Sequence, residues 1–113
     1  MTGIEFYTNG HIISEADSMR QKLGTLAKQY RATSAIIVTD SGIAQLGYVD
    51  IAQQSLQEAG VNVVVFDSVV ADPPVAIVND AIKIARDNSC DLVIGLGGGS
   101  SIDTAKIVAL HPN

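Results

Sequence analysis

No tryptophan, a single cysteine and only three prolines occur in these 113 residues. The lone Cys90 excludes an internal disulfide and leaves no cysteine cluster for a structural zinc, which points to a reducing compartment, the cytoplasm. Cys90 itself reads as a small buried hydrophobe just before a strand. Positive charge is scarce too: seven Lys and Arg against twelve Asp and Glu give a formal net charge of −5. Nucleic acid or an anionic membrane would require a basic surface, so neither is expected as a partner. No apolar run approaches the roughly 18 residues of a membrane span, and the N-terminus lacks the basic and apolar regions of a signal peptide. His11 and His111 lie far apart in sequence and read as solvated side chains rather than metal ligands. What the chain does have is 47% hydrophobic residues, enough for the core of one domain, and a concentration of glycine near its C-terminal end.

Strand-like and helix-like segments alternate along the length. "IEFYTNGHII" reads as a hairpin turned at Asn9-Gly10. Ser14 follows as an expected N-cap with Asp17 as its capping-box partner, and Met19, Leu23, Leu26, Ala27 and Tyr30 give the next helix one apolar face. "AIIVT" (Ala35 to Thr39) is a β-rich run closed by Asp40-Ser41-Gly42. Ile43 to Ala59 reads as helix with a break at Gly47, and Gly60 stops it. "VNVVVF" is the next strand, followed by the loop "DSVVADPP", in which Pro74 starts a helix with Val75, Val78, Ile82 and Ala85 on one face. Asp91 leads into "LVIGL", three glycines, and a last helix expected from about Ser101 to Leu110. Strands apolar on both faces and separated by helices predict a parallel sheet covered on both sides. The fold class expected is therefore α/β: a Rossmann-like three-layer α/β/α sandwich with a mostly parallel sheet and an N-terminal β-hairpin. Its crossovers should be right-handed and its ligand site should lie beyond the carboxyl ends of the strands.

That rule puts Asp40-Ser41-Gly42, Ala71-Asp72-Pro73-Pro74 and Gly97-Gly98-Gly99-Ser100 on one rim. A glycine loop entering a helix lets an anion approach unpaired backbone N–H groups without Cβ atoms in the way. "GLGGGS" fits G-x-G-x-x-G except that serine stands in the last glycine position, and the absence of Gly-Lys-Ser/Thr excludes a P-loop. The usual order, glycine loop first and ribose-binding acid about 20 residues later, is reversed, because the candidate acid Asp40 comes earlier. Two readings stay open for the loop, a nucleotide or phosphate seat and a tight βα turn with no ligand. Asp40 likewise reads as a ribose acceptor that repels a 2′-phosphate or as an Asx-type cap of the following helix. Ser100 or Ser101 can cap the last helix or give a hydroxyl to a phosphate. Asp103 and Lys106 are a surface pair, or Lys106 reaches back toward phosphate or ribose.

"VIGLGGGSSIDTAK" closely resembles the G-G-G-S-x-x-D-x-A-K element of the iron-containing (group III) alcohol dehydrogenase family, related to glycerol dehydrogenase and dehydroquinate synthase. "IIVTDSG" and "VVVFDSVVADPP" are similar to the two preceding family segments, in the same order, so the resemblance covers nearly the whole chain. It implies a dehydroquinate synthase-like N-terminal domain, incomplete, in which residues 1–113 are the NAD(P)-binding part. An all-helical domain supplying one Asp and three His as metal ligands would lie outside the chain. It implies an oxidoreductase that interconverts a small alcohol and its aldehyde or ketone by hydride transfer, using NAD in preference to NADP, with Fe²⁺ or Zn²⁺ in the complete protein. The fragment alone is expected to be inactive. The resemblance assigns the adenosine ribose to Asp40 and the pyrophosphate to Gly97, Gly98, Gly99 and Ser100. Asp103 and Lys106 support the loop and the nicotinamide side, and Asp72, where many members have Asn, lies near the nicotinamide ribose. Ser101 stands in place of a frequent proline. A homodimer formed through the N-terminal hairpin is expected, as exposed strand edges also favour. The alternatives are a non-catalytic nucleotide-binding or self-associating module and, within the superfamily, a glycerol dehydrogenase.

Overall fold

The computed structural model describes residues 3–8, 11–14 and 19–111. Its two most buried strands are the two most apolar runs, β3 (Ser34–Val38) and β5 (Leu92–Gly97), every residue of which is buried. They pair in parallel, and β4 (Asn62–Phe66) continues the parallel pairing on the far side of β3, with Ala35 opposite both Val63 and Leu92. β1 (Gly3–Thr8) lies antiparallel on the other side of β5, from Gly3 opposite Gly97 to Tyr7 opposite Val93. β2 (His11–Ser14) closes the hairpin, Thr8 opposite His11, which completes the order β2-β1-β5-β3-β4. This register is the one a two-residue turn requires, although Asn9-Gly10 itself lies outside the described residues.

Because side chains alternate along a strand, the central strands feed two cores. Ala35, Ile37, Leu92, Ile94 and Leu96 meet Leu23 and Ala27 of α1 (Met19–Gln29) and Val49, Ala52 and Leu56 of α3 (Tyr48–Glu58). On the opposite face Ile36, Val38 and Val93 meet Ala81 and Ala85 of α4 (Val75–Asp87) and Ala105 and Val108 of α5 (Gly99–Ala109). Each fully buried Leu or Ile in these layers stabilises the fold by about 1.5–3 kcal/mol relative to an exposed one. The result is the expected three-layer sandwich. α5 seats unusually close to β5: a Cβ on Gly95 would come within 2.9 Å of the Ala105 Cβ. At the opposite end of the sheet the Asp91 carboxylate accepts from the Thr33 amide at 3.0 Å, the Ser34 amide at 3.1 Å and the Thr33 hydroxyl at 3.0 Å, tying the start of β3 to the start of β5.

Several boundaries differ from expectation. Ser14 is the last residue of β2 and not a helix cap, and α1 begins only at Met19. The β-branched pair Ile12-Ile13 and the ladder to β1 outweigh the local capping pattern, and Asp17 lies outside the described residues. The break at Gly47 is real: its left-handed φ of +87° separates α2 (Ser41–Gln45) from α3, and Gly60, at +82°, follows the end of α3. Pro74 is the N-cap residue of α4. α5 starts at Gly99 with Gly98 as its N-cap residue, so neither Ser100 nor Ser101 caps it.

Candidate functional site

At the carboxyl ends of β3, β4 and β5 the chain leaves the sheet three times, and one buried residue ties the exits together. Thr39 follows β3 and is fully buried. Its amide donates to the Phe66 carbonyl at 2.8 Å, its carbonyl accepts from the Val69 amide at 3.3 Å, and its hydroxyl donates to the Leu96 carbonyl at 2.7 Å. The three exit loops therefore sit at fixed heights. Between them opens a cleft of about 250 Å³, walled by Asp40 after β3, Val69 to Ala71 after β4, and Gly98 to Ser101 after β5.

Asp40 is held by its own helix. Its Oδ1 accepts from the Ile43 amide at 2.8 Å as the N-cap of α2. Its Oδ2 lies 3.4 Å from the position a Cβ on Gly97 would take. Gly97 is a glycine for two local reasons: its φ of +131° is one that L side chains rarely adopt, and a Cβ there would press on Ile43, Asp40 and Ser101 at 3.3–3.4 Å. Gly98 and Gly99 are different. Neither has a left-handed φ, and a Cβ on either would meet nothing within 4 Å. Nothing in the fold itself demands glycine at these two positions, and the space they leave bare is the cleft at the N-terminus of α5. Unpaired N–H groups and the positive end of the helix dipole suit that space to an anion. The residues present therefore fit the pyrophosphate of a dinucleotide, with an acidic acceptor alongside for a ribose.

The structure does not bring every expected residue to this cleft. Asp72 is exposed, in the left-handed region at φ +46° that Asp and Asn tolerate, and does not line the wall. Asp103 and Lys106 are exposed on α5, and no ion pair joins them. Lys106 lies in the last turn of that helix, about 10 Å along the axis from Gly99 at 1.5 Å per residue, at the end of the dipole that favours a cation. Two features escaped the sequence reading. The Thr39 hydroxyl carried no signal beyond its place at the end of an apolar run, and the apolar wall at Val69 and Val70 was hidden in a loop. Among the described residues no group of three His, Cys, Asp or Glu side chains could hold a metal ion. No helix among them is long and apolar enough to cross a membrane.

Comparison with known proteins places this geometry in context. The family model for iron-containing alcohol dehydrogenases matches residues 9–113. The chain is 35% identical over 107 residues to alcohol dehydrogenase 4 of Saccharomyces cerevisiae, covering 95% of this chain and 26% of that protein. It is 34% identical over 90 residues to the NAD-dependent methanol dehydrogenase of Bacillus methanolicus, covering 80% of this chain and 24% of that one. Among solved structures, the iron-containing alcohol dehydrogenase of Thermococcus thioreducens is similar with a TM-score of 0.73 at 26% identity, covering 81% of this chain and 24% of that chain. The chain thus spans about a quarter of the length of these relatives.

Proposed function

Because the chain belongs to the iron-containing alcohol dehydrogenase family, we propose that residues 1–113 form the N-terminal, NAD-binding part of an enzyme interconverting a small alcohol and its aldehyde or ketone. The observation that carries this reading is the pair Gly98 and Gly99, bare where neither conformation nor packing requires it, at the head of α5 and across the cleft from Asp40. In this reading the amides of the glycine loop hold the pyrophosphate and Asp40 Oδ2 accepts from the adenosine ribose. NAD is preferred to NADP because a carboxylate at that place repels a 2′-phosphate. A relative named as an NAD-dependent methanol dehydrogenase supports that preference.

NAD supplies the hydride chemistry, and the part played by these residues is binding and orientation. The metal, Fe²⁺ or Zn²⁺, belongs to a helical domain outside this chain. Asp72, Asp103 and Lys106 remain proposed contacts on the nicotinamide side, reached by cofactor extending beyond the cleft. The single cysteine supports a cytoplasmic setting. A homodimer through the hairpin is part of the proposal, because β2 ends the sheet with one edge lacking a strand neighbour among the described residues.

NADH fluorescence titration of the full-length protein, followed by turnover assays with short primary alcohols, tests the reading. NADH binding with NAD-linked oxidation supports it, and failure to bind NADH overturns it. Light scattering tests the dimer separately: a single-subunit mass at all micromolar concentrations overturns it, and deletion of residues 1–13 should abolish it.

A further inference from the structure

The N-terminal turn of α5 contains a buried side-chain hydroxyl with no partner. Ser101, the third residue of the helix, is only 2% exposed, yet its hydroxyl makes no hydrogen bond with any described residue. The other buried hydroxyls nearby are satisfied: Thr104 donates to the Ser100 carbonyl at 2.7 Å, and Thr39 to that of Leu96. No fully enclosed side-chain oxygen or nitrogen among the described residues lacks a partner. What surface Ser101 retains must therefore include its hydroxyl, and the opening it meets is the cleft, whose wall it forms. Its Oγ lies 3.4 Å from the place where a Cβ on Gly97 would be, the same distance as Asp40 Oδ2 from that point. The hydroxyl and the acid therefore both border Gly97, at the start of the glycine loop.

We infer that the Ser101 hydroxyl is a ligand-binding group that donates a hydrogen bond to a phosphate oxygen seated on Gly98 and Gly99. The hydroxyl has no acceptor among the described residues and reaches the cleft, so an anion bound there would take its proton in a charge-assisted bond. Asp40 cannot share this role, because a carboxylate repels phosphate and its acceptor oxygen suits a ribose hydroxyl instead. The inference rests on the dinucleotide reading of the same cleft and adds to it a side-chain donor outside the glycine loop.

The test uses the full-length protein, its Ser101→Ala and Ser101→Gly variants, and three probes: NADH by fluorescence, with ADP and adenosine by displacement or calorimetry. Ser101→Ala should keep the melting temperature of the unliganded protein to within about 2 °C. Both variants should bind NADH and ADP about tenfold more weakly, as loss of one hydrogen bond to a charged group implies, with adenosine affinity unchanged. Unchanged ADP affinity in both variants overturns the inference, as does an equal loss with adenosine, which would assign the hydroxyl to the nucleoside. Wild-type protein that binds neither NADH nor ADP overturns the dinucleotide reading itself, an outcome separate from wild-type binding that the variants match.

Discussion

Asp40 divides its carboxylate between two tasks: Oδ1 takes the Ile43 amide at 2.8 Å, while Oδ2 faces Gly97, 3.4 Å from the point a Cβ there would occupy. The cap on α2 thereby fixes the direction of the second oxygen. Both readings of this acid, helix cap and ligand acceptor, can hold at once because they use different atoms.

Substitution separates the two tasks. Asp40→Asn retains an N-cap of equal quality and should leave stability within a few tenths of a kcal/mol, while Asp40→Ala should cost about 1 kcal/mol. Only the charge is lost in the Asn variant, so its preference for NADH over NADPH should fall by roughly tenfold, the equivalent of about 1.4 kcal/mol. Paired titrations with the two cofactors and a thermal melt check this. An undiminished preference in Asp40→Asn removes the acid from cofactor selection.

The glycines of the loop should respond in opposite ways. Gly97→Ala forces a side chain into a φ of +131° and against three neighbours, and should destabilise the protein by about 1–3 kcal/mol. Gly99→Ala meets nothing within 4 Å and replaces a poor helix former, so it should stabilise by up to about 1 kcal/mol. The same methyl enters the cleft, and NADH affinity should drop at least tenfold. Denaturant unfolding and NADH titration of each variant give both numbers. Undiminished affinity in Gly99→Ala would mean that the bare backbone serves no ligand.

Asp91 should matter for stability and not for binding. Asp91→Ala leaves the Thr33 and Ser34 amides without their carboxylate and should cost about 1–3 kcal/mol by denaturant unfolding. It lies at the amino ends of the strands, opposite the cleft, so NADH affinity in the folded variant should stay within twofold. A large change in affinity would show that the two ends of the sheet are coupled.

Cys90 makes stability depend on alkaline pH. Burial is the main cause that pushes its thiol above the ordinary value; the bond with the Ser34 hydroxyl pulls it back and the Asp91 carboxylate adds to the rise. The folded state therefore holds the proton where the unfolded chain has released it. The contribution is fully present below the ordinary thiol range and is lost as pH rises through it toward the folded value. Unfolding midpoints measured from pH 7 to 10 should fall more steeply for the wild type than for Cys90→Ser. Parallel curves would remove Cys90 from the alkaline decline.

Much of this fold was legible because its central strands are apolar on both faces, and only a sheet covered on both sides buries such runs. "AIIVT" and "LVIGL" could hardly be anything else, and Gly47 announced its break through the conformation it alone adopts easily. Ser14 misled because a serine followed three residues later by an acid marks a helix start only when no strand partner competes, and β1 competes. The insertion of β1 beside β5 depends on pairing between the two ends of the chain, which no local pattern encodes. At the site, Asp40 and the glycine loop announced themselves by residue type and position. The Thr39 bridge did not, and for Ser101 the sequence left helix cap and phosphate donor open, because both depend on which atoms the fold brings within reach.

The position of β5 in the sheet bears on how the protein comes to be folded. Of the five described strands it is the last in sequence and the middle one in space: β1 and β2 lie on one side, β3 and β4 on the other, and the two pairs meet only through it. Until Leu92 to Gly97 arrive, the nascent chain holds a hairpin and a two-stranded parallel ribbon, neither of which has much stability alone. The contacts that join them are among the most distant in the sequence, a topology that slows folding. Since the glycine loop follows β5 without a gap, the step that unites the sheet also sets the floor of the cleft, and no partly assembled chain can present that binding surface early.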